Sequence, residues 1–196
     1  MQNYPQKNTP LDANIIDVIR NRWSPLAFDP TPLHEDEIAS LFEAARWAPS
    51  CYGEQPWRYI YACKGDDGRE NLESLLAEGN SWAKNAGLLI VGFAKTTFDK
   101  NHNPNRFNLY DTGSATGFLT LQATSMGLIS HQMGGFDAEK ANNLLGVPKD
   151  FEPAAMIAVG HPGDTKDLPE DLQKRQDAPR QRLPRETIAM RGNFPQ

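Results

Sequence analysis

Residues 88–94 read Leu-Leu-Ile-Val-Gly-Phe-Ala, an unbroken apolar run. A strand with one wet face alternates apolar and polar residues, so a run without alternation reads as a strand buried on both faces. Extended back to Ala86, the run is still far short of the ~20 residues that a membrane helix needs. A chain built on such a strand must supply its own core. At 196 residues, folding hides roughly 70% of the unfolded surface, without help from disulfides or metal. The 39% hydrophobic and 23% charged content excludes a disordered chain and a coiled coil.

The remaining elements fall on either side of this strand. Asp12 is placed to cap a short helix with Ile15, Ile16 and Ile19 on its apolar side. Ile38, Leu41, Phe42 and Ala45 recur at i, i+3, i+4 and i+7, the stripe of an amphipathic helix that Pro49 ends. Residues 57–63 are rich in aromatic and β-branched types and read as a strand. Asp66 or Asp67 opens a helix carrying Leu72, Leu75 and Leu76. Residues 105–126 form the longest helical candidate, with Gly113, Ser114, Ala115, Thr116 and Gly117 at its middle. Each glycine there costs about 1 kcal/mol against alanine, which close approach of another helix or a ligand can offset. Gly127 suits a left-handed cap, residues 129–133 a strand, Asp137 a helix cap, and residues 154–159 a last strand. Helices and strands mix without regular βαβ alternation, so the fold class is α+β.

Organisation follows from composition: a polar N-terminal tail (1–11), a core (12–160), and a segment (161–196) whose sparse apolar residues cannot form a core of their own. That last segment reads either as a disordered tail or as an arm packed on something else, such as a partner subunit. A net charge of −5 argues against a nucleic-acid binder. Residues 1–10 hold no apolar stretch that would serve as a secretory signal. Cys51 and Cys63 form neither a Cys-x-x-Cys pair nor a disulfide framework, which suits a reducing cytoplasm.

Dinucleotide, phosphate-loop and nucleophile-elbow signatures are missing from the sequence, and His34, His102, His131 and His161 are scattered without metal-ligand spacing. What remains is a distributed set of anion-binding candidates. Arg20, Arg22 and Ser24 end the first helix, and Arg180, Arg182 and Arg185 lie in the last segment. Guanidinium forks with a hydroxyl suit a phosphate monoester; interleaved acidic residues give the arginines a second reading as a solvated face. The link 48–57 (Ala-Pro-Ser-Cys-Tyr-Gly-Glu-Gln-Pro-Trp) is stiffened by Pro49 and Pro56 and presents Ser50 and Gln55. Met133, Gly134 and Gly135 leave backbone amides unshielded by side chains, as a flat ligand requires.

On these residues the sequence resembles the nitroreductase family of FMN-dependent oxidoreductases. Arg22-Trp23-Ser24-Pro25-Leu26-Ala27-Phe28 looks like that family's N-terminal signature, whose Arg, Ser and second basic residue hold the FMN phosphate and ribityl chain. Residues 48–57 are similar to its Ala-Pro-Ser-x-x-Asn-x-Gln-Pro segment against the flavin, through Pro49, Ser50, Cys51 and Gln55. Gln132-Met133-Gly134-Gly135-Phe136 matches the strand-end loop near flavin N5, and Arg180-Gln181-Arg182 the basic pair of the C-terminal arm. The resemblance implies a central, mostly antiparallel sheet flanked by helices in an intertwined homodimer with FMN at the interface.

The implied activity is hydride transfer from NADH or NADPH through flavin N5 to a nitroaromatic, quinone or related acceptor, in ping-pong order, without a protein acid or base. Trp23, Tyr52, Trp82, Phe107 and Tyr110 are candidates for the acceptor pocket, or else for the core. The alternatives are a non-catalytic flavin-binding or storage protein, and a different flavin reaction such as reductive dehalogenation or dehydrogenation. Leu26 stands where the family has Arg or Lys, and Gly53 where Asn is common. Each departure removes a hydrogen bond, which for a charge-assisted one is worth about 1.5–3 kcal/mol.

Overall fold

The computed structural model describes residues 4–194. The apolar run forms strand β2 (Leu88–Lys95), buried at every residue except the last. It lies inside a four-stranded sheet with β1 (Trp57–Cys63), β3 (Ile129–Met133) and β4 (Phe151–Gly160), ordered β1-β2-β4-β3. All three pairings are antiparallel. The α+β class with a mostly antiparallel sheet is therefore met.

Both faces of β2 are covered, and its side chains divide between them. Leu88 and Ile90 join Leu41, Ala45, Leu119 and Ala123 in one cluster, formed by α2 (Glu35–Arg46) and α4 (Asn108–Ser125). Leu89, Val91 and Phe93 meet Trp23, Leu26, Phe28, Leu72 and Trp82 on the other side. The stripe at Ile38, Leu41 and Ala45 is the buried side of α2, whose start is closed by a His34–Glu37 capping box. Gly127 takes the left-handed conformation (φ 81°) after α4. The Asp137 carboxylate accepts the Lys140 N–H and caps α5 (Ala138–Leu144).

Three expectations need correction. The first helix, α1 (Asp17–Asn21), starts at Ile16 rather than Asp12, and Ile15, Ile16 and Ile19 are 41%, 64% and 43% exposed. Among the described residues those isoleucines are covered only in part, so their spacing alone could not carry the helix back to Asp12. Asp66 turns back to accept the Cys63 N–H at 2.7 Å, and α3 (Arg69–Glu73) starts only after Gly68, in left-handed conformation. Strand β4 begins at Phe151, ahead of the expected 154. Pro153 is tolerated there because it sits where the β2 register shifts and beyond the stretch that β3 pairs. The last segment holds α6 (Glu170–Asp177) and α7 (Arg185–Ile188). Among the described residues, no helix is long and apolar enough to cross a membrane.

Candidate functional site

The 22–28 segment is held by alternate burial. Trp23 is buried, its indole N–H donating to the Pro5 carbonyl at 2.8 Å, with the Lys7 ammonium 4.3 Å from the ring centre. Leu26, Ala27 and Phe28 are buried, and Phe28 bridges to Pro162 beyond β4. The N–H groups of Leu26 and Ala27 both donate to Oε1 of buried Gln176, at 2.6 and 3.0 Å, and its Nε2 donates to Thr165 Oγ1. Between these anchors Arg22 is half-buried and Ser24 is exposed. Trp23 is thus packed between the N-terminal segment and the core. Trp82 is also core, lying 6.0 Å from the Phe28 ring and 4.6 Å from His131, while Tyr52 and Tyr110 are exposed and Phe107 is half-buried.

Arg22 has an unusual electrostatic setting. Burial pushes its guanidinium below the ordinary value; Tyr4 opposes that shift and the nearby Arg182 adds to it. Among the described residues its guanidinium has no hydrogen-bond acceptor and no carboxylate. Arg180 is likewise lowered, by burial first, then by Arg22 and Arg182. Three guanidiniums close to one another, those of Arg22 and Arg180 partly removed from water, repel each other and favour an anion of two charges. Arg180 is already engaged, however: Nη1 donates to Thr9 Oγ1 and the Arg20 carbonyl, Nη2 to the Arg22 carbonyl. Arg182 is exposed and, among the described residues, hydrogen-bonded only to its neighbour's carbonyl, on Gln181.

The strand-end loop lies on the same side of the fold. His131 of β3 sits 3.0 Å from the Pro25 carbonyl, which ties β3 to the 22–28 segment two residues before Met133. Met133 is buried and Gly134 is exposed with open space where a Cβ would stand. At Gly135 a Cβ would come within 2.8 Å of the Asn80 amide, which donates to the Gly135 carbonyl. The loop is therefore bare toward solvent at Gly134 and packed inward at Gly135.

The link 48–57 lies elsewhere. It leads into β1, at the opposite edge of the sheet from β3; three strand spacings of about 4.8 Å separate those edges by roughly 14 Å. Asp111 in the first turns of α4 accepts the Cys51 N–H at 2.9 Å, and Ser50 Oγ accepts the Gln55 N–H at 3.1 Å. Tyr52, Gly53 and Gln55 all have positive φ (55°, 71° and 50°). Position 53 thus favours Gly or Asn, the two residues that enter this region most readily. The chain brings together Arg22, Ser24, Arg180, Arg182 and the 133–135 loop, and keeps Pro49, Ser50, Cys51 and Gln55 away from them.

Leu26 is 2% exposed in the core, so a basic residue there would have to bury its charge. Two participants escaped sequence reading. Gln176 looks like one more polar residue of a charged helix, and His131 like a scattered histidine; only the chain crossing them reveals their contacts. A cavity of about 650 Å³, lined by Lys7, Trp23, Gln176 and Arg180 among others, opens between the N-terminal segment and the arm, but neither Arg22 nor Ser24 lines it.

Comparison with known proteins identifies the fold and the family. A solved structure described as an oxidoreductase containing FMN superposes with a TM-score of 0.92 at 32% identity, covering 97% of this chain and 98% of that one. An uncharacterised 15.4 kDa protein of Mycolicibacterium smegmatis is 38% identical over 129 residues, which is 66% of this chain and 86% of that protein. A protein of Archaeoglobus fulgidus, provisionally named an NADH dehydrogenase/NAD(P)H nitroreductase, is 27% identical over 158 residues, covering 77% and 87%. The family model described as "Nitroreductase family" matches residues 19–81 and 77–161. By its fold and by that match over most of its length, the chain belongs to the nitroreductase family of oxidoreductases.

Proposed function

We propose that this protein is an FMN-dependent oxidoreductase that takes reducing equivalents from NADH or NADPH and delivers them to a nitroaromatic, quinone or related acceptor. The observation that carries the reading is the half-buried Arg22 guanidinium, without an acceptor among the described residues and set beside Arg182 and exposed Ser24. The FMN of the 32%-identical structure and the NAD(P)H in the name of the Archaeoglobus fulgidus relative support the cofactor and the donor. Bound FMN would supply the redox chemistry, accepting hydride from the nicotinamide and returning two electrons to the acceptor at the same ring face.

The chain's part is to bind and orient. Arg22, Arg182 and Ser24 meet the phosphate with two guanidinium charges and a hydroxyl. Trp23 fixes the segment from behind, and bare Gly134 with Met133 lets the backbone approach a flat ring. Pro49, Ser50, Cys51 and Gln55 sit across the sheet, so they reach the same ligand only from a second copy of the chain. A homodimer is supported by the apolar residues left in water: Ile15, Ile16 and Ile19 beside α1, Leu109, Tyr110 and Phe118 along α4. Gly113 and Gly117 have nothing within 4 Å of where a Cβ would stand, so the close approach that offsets them comes from outside the chain. In this reading the exposed end of the arm, with Leu183, Ile188 and Phe194 in water, packs on the partner subunit.

A flavin-binding protein without turnover is the second reading, favoured by Leu26, an apolar core residue where the family has Arg or Lys. The test is spectroscopic. Purified protein supplied with FMN is expected to hold a flavin absorbance band that bleaches when NADH or NADPH is added under argon and returns with a quinone. Yellow protein that never bleaches supports the second reading, and colourless protein that ignores added FMN defeats both.

A further inference from the structure

Arg180 occupies the position of a phosphate-binding residue but spends its guanidinium on the backbone. Three of its five N–H donors are taken, by Thr9 Oγ1 at 2.5 Å and by the Arg20 and Arg22 carbonyls at 2.9 Å each. Those two carbonyls lie at the end of α1, where a helix leaves its C=O groups without partners. Earlier in the arm, within the last turn of α6, Gln176 takes the Leu26 and Ala27 N–H groups. The arm thus grips the backbone on both sides of Arg22 and Ser24 and leaves their side chains between the two grips. Arg182 has no such engagement beyond the Gln181 carbonyl.

We propose that Arg180 is a positioning residue: its guanidinium fixes the backbone that presents Arg22, and Arg182 is the arm's own phosphate-facing cation. The inference rests on the flavin reading above. Turning Arg180 toward a ligand would break three hydrogen bonds across a chain separation of up to 171 residues, whereas Arg182 can turn at little cost. Burial and the neighbouring Arg22 and Arg182 already work against the Arg180 charge, and a ring of carbonyl and hydroxyl oxygens offsets this.

The experiment measures FMN and riboflavin binding to the flavin-stripped full chain by fluorescence, for R22A, R180A, R180K, R182A and the doubles R22A/R180A and R22A/R182A. R180A is expected to weaken FMN about tenfold and leave riboflavin unchanged, because only FMN carries the phosphate. In the R22A background R180A is expected to cost nothing more, while R182A costs about another tenfold. R180K is expected to behave like R180A, since one ammonium cannot reproduce a fork that reaches three acceptors. An additive R22A/R180A loss, full rescue by R180K, or an equal loss of riboflavin overturns the proposal. Hydrogen exchange of the flavin-free protein separates the two readings. R180A or R180K is expected to speed exchange in residues 20–27 and leave β2 unchanged. Unchanged exchange in 20–27 overturns the positioning role, whereas a wild-type chain that binds no FMN overturns the flavin reading.

Discussion

Arg69 is the most buried cation of the chain, 4% exposed, and it closes the end of the sheet where β1 and β2 meet the following turns. It donates to the Ala62 and Ala86 carbonyls at 3.0 and 2.8 Å and to Glu73 at 3.0 Å. Removing a buried charge that makes four hydrogen bonds strands its acceptors, so Arg69→Ala is expected to lower unfolding free energy by about 3 kcal/mol. Urea denaturation checks this, and a change below 1 kcal/mol would count against that role. His131 gives a pH signature instead. Burial pushes its imidazole below the ordinary value, the Pro25 carbonyl opposes this, and Arg175 and Arg22 add to the lowering. The unfolded chain therefore binds the proton more readily than the folded one. Stability is full above about pH 6.5 and declines as pH falls from there through the lowered folded value. Denaturant midpoints between pH 7.5 and 5 are expected to drop more for wild type than for His131→Gln.

Among the elements, the strand ends are the tightest places. At Gly163 a Cβ would lie 2.6 Å from the Phe28 carbonyl carbon and 2.8 Å from the Asp29 nitrogen, because the chain after β4 runs against the 22–28 segment. Gly163→Ala is expected to cost about 1–3 kcal/mol and loosen the Phe28–Pro162 bridge, read as a lower melting temperature. How legible the elements were depends on where their partners lie. β1 and β3 end where the residue pattern says, β2 runs one residue further to Lys95, and α2 shows its stripe, because each packs a whole face on the core of its own chain. The first helix misled because Ile15, Ile16 and Ile19 are apolar without being covered. Asp66 misled because a carboxylate that can cap a helix can equally close the turn after a strand.

Across the whole molecule, assembly is the main prediction. If α4 meets a second copy, G113A/G117A meets opposing effects: helix propensity rises by about 1 kcal/mol per site, while the added methyls push the partner away. The double variant is expected to sediment as a monomer at concentrations where wild type has twice the chain mass, and to bind FMN more weakly. A monomeric wild type that still binds FMN tightly would overturn the two-chain site.

The amino-acid order determined the strand pattern, the main helices and the motif residues, because periodicity, capping and proline act between near neighbours in the chain. It also marked Arg22, Ser24, Arg180 and Arg182 as cations and hydroxyls fit for an anion. Only the tertiary structure decided that Arg180 is occupied by carbonyls 158 and 160 residues away while Arg22 is left without an acceptor among the described residues, and that the 48–57 link lies across the sheet from both. Hydrogen-bond partners so distant along the chain are set by how the sheet and arm are laid together, and no local pattern carries that information.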